Sequence, residues 1–340
     1  MIHIKSKNIV FVKENVAELI EENVKELQKN DVLVKLYFSS ISSGTERANL
    51  TGSKTVSWAR SEDKVAVFPR RGGYSSSGVV EAVGENVTSV KVGDRVALSW
   101  STHNQYIVIS ENLVLPIDDI PFDQAALFHI ATFPLAAIRK CRLEIGESAI
   151  VMGMGILGIV ALQLLRVAGA TPIIAVDPDP KKREKALQCG ADYAFDPYSP
   201  DFAKKVKSIT NGGAKVGIEV TGIGAGLDGI LDCMARFGRV SLLGCTRNSD
   251  FTIDYYRKVH GPGISLIGAH TQARPECESH GGWWTQRDDL LALKQLTKSG
   301  RINLSLIIDE VHSPKDANKV YTRLAFDKTF PLVQFDWGKL

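Results

Sequence analysis

Three glycines, Gly153-Met154-Gly155-Ile156-Leu157-Gly158, stand at the spacing GxGxxG. A short run rich in β-branched residues, Ala149 to Met152, precedes them, and a helical pattern continues through Arg166. Asp177 closes the next apolar run, PIIAVD, 19 residues beyond Gly158. In that setting the motif specifies a dinucleotide site. Gly153 permits the tight turn, Gly155 lets the backbone approach a pyrophosphate, and Gly158 lets helix and strand pack closely. The helix start, with Ile156 and Leu157, offers unpaired N–H groups and a positive dipole end to phosphate. A carboxylate at Asp177 accepts hydrogen bonds from the adenosine ribose. A 2'-phosphate there would meet a like charge, worth roughly 4 kcal/mol at 4 Å with an effective dielectric near 20. The expected cofactor is therefore NAD, with NADP disfavoured. Lys182 stands either near the adenosine or as a solvated helix residue.

The elements around the motif alternate strand and helix: SAIVMG, LGIVALQLLRVAG, PIIAVD, PKKREKALQCG, VGIEVTG, GLDGILDCMARFG, RVSLLG and ISLIGAH. This βαβ order predicts a doubly wound parallel sheet covered by helices on both faces. Ahead of it, DVLVKLYFS, SSGVVEAVG, DRVALSW and NQYIVIS are short strand-like runs between turn residues, which suits a small barrel. FDQAALFHIATFPLAAIRKC has helical spacing that Pro134 should break or kink. The tail ends in a strand, FPLVQFDW, and QARPECESHGGWWTQ reads as an irregular loop.

Composition narrows the classes. With 340 residues, 44% hydrophobic, the chain suffices for two domains, and a net charge of +3 argues against a nucleic-acid or membrane-surface partner. Five cysteines without a CxxC pair favour a reducing, cytoplasmic setting and argue against a disulfide framework or zinc knuckle. The 18 uncharged residues from Ser148 to Leu165 could be mistaken for a membrane span, but their glycine cluster belongs to the dinucleotide motif.

Taken together, the chain resembles the medium-chain dehydrogenase/reductase superfamily, the zinc-type alcohol, sorbitol and threonine dehydrogenases. The resemblance rests on ISSGTE (41–46) against ICGTD and GGYSSSGVVEAVGENV (72–87) against GHExxGxVxxVGxxV. It extends through VGDRV (92–96), AALFHIATFPLAA (125–137), GMGILG, AVDPDPKKREKALQCGAD (175–192) and FGRVSLLG (237–244). It implies a GroES-like β-barrel catalytic domain over 1–120 and 299–340, and a Rossmann domain over 121–298. Further cofactor contacts would come from Thr221, Gly222, Gly244, Cys245, Gly268, Ala269 and His270. A homodimer or homotetramer is implied, pairing near ISLIGAH.

The departures concern the metal. The family's zinc ligands Cys, His and Glu fall on Ser43, Tyr74 and Ser75, and the further Glu of sorbitol-type members falls on or near His129. The interval between Val96 and Tyr106 is too short for the four-cysteine zinc lobe. The resemblance thus points to a zinc-lacking subgroup similar to bacteriochlorophyllide-type alcohol dehydrogenases. Without a cation, charge on the substrate oxygen needs other donors and the proton another carrier. The candidates are Tyr74, Thr45, His129 and Glu46, each with a structural alternative as core filler, buried histidine or loop-holding carboxylate. His103, His270, Trp283 and Trp284 could line the substrate pocket. The expected activity interconverts a secondary alcohol or polyol and its ketone, with the small substrate bound between the domains. Quinone or enoyl reduction, and a cofactor-binding homologue without catalysis, are the alternatives.

Overall fold

The computed structural model describes residues 4–54, 56 and 67–340. In chain order its front part forms β1 (Lys5–Lys13), β2 (Val16–Asn23), β3 (Asp31–Ser40), α1 (Ser43–Leu50), β4 (Arg70–Arg71), β5 (Ser75–Val83), β6 (Arg95–Ser99), β7 (Tyr106–Ser110), β8 (Val114–Pro116) and α2 (Phe122–Ala125). Next come α3 (Phe128–Lys140), β9 (Ala149–Met152), α4 (Ile156–Val167), β10 (Ile173–Val176), α5 (Pro180–Gln188), β11 (Tyr193–Phe195), α6 (Phe202–Ile209), β12 (Ala214–Glu219), α7 (Gly224–Asp232), β13 (Met234–Leu242) and β14 (Ser265–Gly268). The chain closes with α8 (Gln286–Lys298), β15 (Glu310–His312), α9 (Ala317–Phe326) and β16 (Val333–Asp336).

Two compact units result, Met1–Ile130 with Asn303–Leu340, and Ala131–Ile302. In the first, a seven-stranded sheet runs β15-β16-β3-β5-β6-β8 with β7 also paired to β3, beside a three-stranded sheet β2-β1-β4. Ile9, Phe11, Leu36, Leu50, Tyr321 and Phe335 are wholly buried among them. The first division falls later than residue 121 because the α2 region is bonded to the barrel. Ser40 Oγ and Ser75 Oγ both donate to Ala126 O (2.9 and 2.7 Å), and Ser77 Oγ donates to Phe122 O at 2.6 Å.

Those two serine hydroxyls also bear on where the helical run breaks. Ala126 O is held from outside, and the interruption lies between α2 and α3, not at Pro134, which sits inside α3. The second unit has six parallel strands in the order β11-β10-β9-β12-β13-β14. That is the doubly wound order, and it turns the carboxyl ends of β9, β10, β12 and β13 to one edge. Here β13 begins at Met234, so Met-Ala-Arg-Phe, read in sequence as the end of a helix, is strand, with Phe237 at φ 61°. Among the described residues no helix is long and apolar enough to cross a membrane; α4 ends at Val167 and carries the apolar stretch into the Rossmann sheet's cover.

Beside edge strand β14 lies a basic cluster. Lys140 Nζ donates to Gly268 O at 3.3 Å and stands 4.6 Å from the Trp283 ring, while the Arg139 guanidinium lies 3.5 Å over Trp284. Arg139 and Arg274 share the buried carboxylate of Asp289. Burial, reinforced by Arg274, brings the Lys140 ammonium down to about 8, whereas an unfolded lysine titrates near 10.5. Between those values the unfolded chain binds more protons, so this group makes stability rise with pH across that window. Lys140→Met should therefore be less stabilised than the parent protein on going from pH 7 to pH 10; urea unfolding at both values measures the difference.

Candidate active site

The Rossmann unit builds a dinucleotide cradle from its glycine turn. Gly153 has φ 102° and its N–H donates to Val176 O at 2.8 Å, so the turn is anchored to the neighbouring strand in a conformation that suits glycine. A Cβ on Gly158 would stand 1.9 Å from Gly153 O, whereas one on Gly155 would meet nothing within 4 Å. The first contact fixes the motif's internal packing. The second is open room of the kind a pyrophosphate would fill at the N-terminus of α4. Asp177 ends the β10 connection with one carboxylate oxygen accepting Met154 N–H at 2.8 Å and the other Asp179 N–H at 2.9 Å. Each oxygen keeps a lone pair for a ribose hydroxyl. These residues fit a dinucleotide.

Around that turn, Thr221 and Gly222 follow β12 and Gly244 and Cys245 follow β13. A Cβ on Gly244 would come within 2.3 Å of Gly222 N, so the two strand ends are in close contact. Ala269 is buried and donates from its N–H to Leu242 O at 3.1 Å, with Gly268 and His270 exposed on either side. Burial and the neighbouring Lys140 lower the His270 imidazole below the usual range. Lys182 is half-buried on α5. Sequence reasoning missed two residues here. Arg183 donates from Nη1 to Asp177 O at 2.7 Å and to Pro178 O at 2.8 Å, and its only signal was the basic cluster at the start of α5. Glu219, almost wholly buried, accepts Thr221 N–H at 2.7 Å, the Thr221 hydroxyl and Gly222 N–H. Burial raises its carboxyl despite those donors.

The barrel unit brings together two of the residues proposed to serve the substrate oxygen, Tyr74 and His129. Tyr74, Trp100 and His129 form an aromatic cluster. The Tyr74 and His129 rings meet edge-on at 5.7 Å, and Trp100 lies 4.6 Å from His129. Trp100, at φ 60°, donates its N–H to Tyr74 O at 2.8 Å; residue type alone gave no hint of it. The Tyr74 hydroxyl donates to Ser42 Oγ. Ser43 and Thr45 lie half-buried in the first turn of α1.

Glu46 belongs to a buried network that joins this cluster at Ser42. Its Oε1 accepts Ser42 N–H at 2.8 Å, and its Oε2 meets His103 Nε2 at 3.0 Å and the Tyr321 hydroxyl. His103 Nδ1 then meets Ser39 Oγ at 2.7 Å, so this imidazole is fully buried between two partners. Burial, with Glu46 second, pushes the Tyr321 phenol well above its ordinary range. Trp283 and Trp284 pack on Lys140 and Arg139.

At the positions aligned with zinc ligands the donors are two aliphatic hydroxyls, a phenol and an imidazole, and Ser75 Oγ already donates to Ala126 O at 2.7 Å. A single imidazole among hydroxyls falls short of the three or four Cys, His or carboxylate ligands that zinc takes, so this set does not fit zinc. Among the described residues no group of three or more His, Cys, Asp or Glu side chains is arranged to hold a metal.

Residues 28–119 match the family model described as "Alcohol dehydrogenase GroES-like domain", and residues 157–280 match "Zinc-binding dehydrogenase". With the fold above, these matches assign the chain to the alcohol dehydrogenase-like medium-chain dehydrogenase/reductase superfamily. A (R,R)-butanediol dehydrogenase of Bacillus subtilis (strain 168) is 31% identical over 178 residues, 44% of this chain and 51% of that protein. A D-guloside 3-dehydrogenase of Escherichia coli (strain K12) is 24% identical, covering 90% of this chain and 92% of its own. The crystal structure of 2R,3R-butanediol dehydrogenase from Bacillus subtilis superposes with a TM-score of 0.80 at 20% identity, over 97% of this chain and 99% of the other, which is a likeness of fold.

The geometry separates two kinds of glycine. Gly155→Ala should leave folding intact and weaken NADH binding roughly tenfold or more, whereas Gly158→Ala should destabilise the Rossmann unit itself; NADH fluorescence titration and urea unfolding distinguish them. Glu46→Ala strips three buried donors of their acceptor and should cost roughly 3–5 kcal/mol of stability. Urea unfolding measures that loss too.

Proposed function

We propose that this protein is a zinc-independent, NAD(H)-preferring oxidoreductase that interconverts a secondary alcohol or polyol and its ketone. The observation that carries the reading is the replacement at the aligned ligand positions, where a phenol and a single imidazole meet edge-on at 5.7 Å in place of a cysteine, histidine and glutamate set. Relatives named for a diol and for a guloside support the substrate class. Asp177, whose carboxylate already faces the glycine turn through Met154, supports NAD over NADP.

The nicotinamide, when bound, exchanges hydride with the carbinol carbon. Tyr74 donates a proton to the oxygen during reduction and takes one during oxidation, and Thr45 supplies a second hydroxyl to the same oxygen. His129, packed against the Tyr74 ring, is the remaining proton carrier. Glu46 holds the α1 loop through Ser42, His103 and Tyr321 and leaves the proton to these groups.

Dialysed protein should contain well under one equivalent of zinc while oxidising alcohols, and should bind NADH more tightly than NADPH. Tyr74→Phe should lower kcat by roughly a hundredfold with NADH affinity unchanged. Metal analysis, fluorescence titration and a screen of secondary alcohols, polyols and enones followed by NADH absorbance test each part. Retained stoichiometric zinc, tighter NADPH binding, or turnover of enones alone would overturn the reading.

A further inference from the structure

Ser42 occupies the N-cap of α1, where a serine hydroxyl ordinarily accepts a hydrogen bond from an N–H in the helix's first turn. Here the Ser42 side chain makes no such bond. Capping is done at the backbone and by Glu46: Glu46 N–H donates to Ser42 O at 2.9 Å, and Ser42 N–H donates to Glu46 Oε1 at 2.8 Å. Glu46 is fixed in turn by His103 and Tyr321, and His103 by Ser39, whose Oγ also accepts Trp337 Nε1–H at 2.9 Å. The hydroxyl released from capping is instead the acceptor for the Tyr74 phenol. Ser42 is 5% exposed and Glu46 1%, so water competes little for either.

We propose that Ser42 is the positioning residue for Tyr74: its hydroxyl, held in place through Glu46, aims the phenol and then donates a hydrogen bond back to it when the proton leaves. The proposal rests on the reading of Tyr74 as the acid–base group. In reduction the Tyr74 O–H bond breaks, its electron pair stays on the phenolic oxygen, and the proton joins the substrate oxygen that hydride addition has made anionic. The Ser42 O–H bond stays intact and rotates toward the phenolate, which a hydroxyl can do because it both donates and accepts. Solvent returns the proton before the next turnover. A charge-assisted bond of this kind is stronger than the neutral one it replaces, so Ser42 favours the step itself over substrate binding.

A double-mutant cycle tests this on the alcohol oxidised fastest in the screen. Ser42→Ala should lower kcat about tenfold and leave the cofactor KM unchanged, and Ser42→Thr, which keeps the hydroxyl, should recover most of the loss. In a Tyr74→Phe background Ser42→Ala should add no further loss. Independent losses that multiply, or a Ser42→Ala enzyme as fast as the parent beside a slow Tyr74→Phe enzyme, would overturn the role of Ser42 alone. A Tyr74→Phe enzyme with unchanged kcat would instead remove the acid–base reading beneath it. A second readout needs no substrate: the phenolate absorbance of Tyr74, isolated as the difference from Tyr74→Phe, should shift along the pH axis in Ser42→Ala and stay put in Ser42→Thr. An identical Tyr74 titration in Ser42→Ala would also overturn the proposal, and that comparison stands even where a variant's turnover is too slow to measure.

Discussion

One buried carboxylate ties the barrel unit together. Glu46 gathers a backbone N–H, an imidazole and a phenol from three separate parts of the chain, the α1 loop, the segment before β7 and α9. A desolvated carboxylate is tolerable only when such donors surround it, so the requirement to satisfy it fixes the register of all three at once. The site loop inherits that rigidity: Ser42 is one residue from the position aligned with a metal-binding cysteine, and Tyr74 reaches the rest of the cluster through it.

The Rossmann unit depends on a different constraint, close backbone approach. Gly158 has no room for a side chain against Gly153 O, and Gly244 has none against Gly222 N. Within the GxGxxG turn, Gly155 by contrast faces open room. The same glycine spacing therefore packs on one side and leaves open room on the other.

The Rossmann half was the more legible in sequence, because its signals are local. Strand–turn–helix patterns, three glycines and a strand-end aspartate all lie within 29 residues, Ala149 to Asp177. The barrel half was legible as strands but not as a site. His103 looked like a pocket residue, yet its partners Glu46 and Ser39 lie 57 and 64 positions away, and no periodicity reports such pairings. Ser42 and Trp100 were invisible for the same reason: a serine is ordinary at a helix start, and a tryptophan ending a strand is ordinary packing. Pro134 pointed to a break or a kink in the helical run, and the break is elsewhere. Its residue type signals a break, but hydroxyls from β3 and β5 hold the Ala126 carbonyl and the interruption lies there.

Asp177 carries a consequence for redesign. Because the carboxylate proposed to select the cofactor also accepts the amide of Met154, any such selectivity and the turn geometry share one side chain. Exchanging it for a small neutral residue to admit a phosphorylated ribose would loosen the very loop meant to receive the diphosphate. A successful switch would need a compensating acceptor for that amide, supplied from elsewhere in the turn.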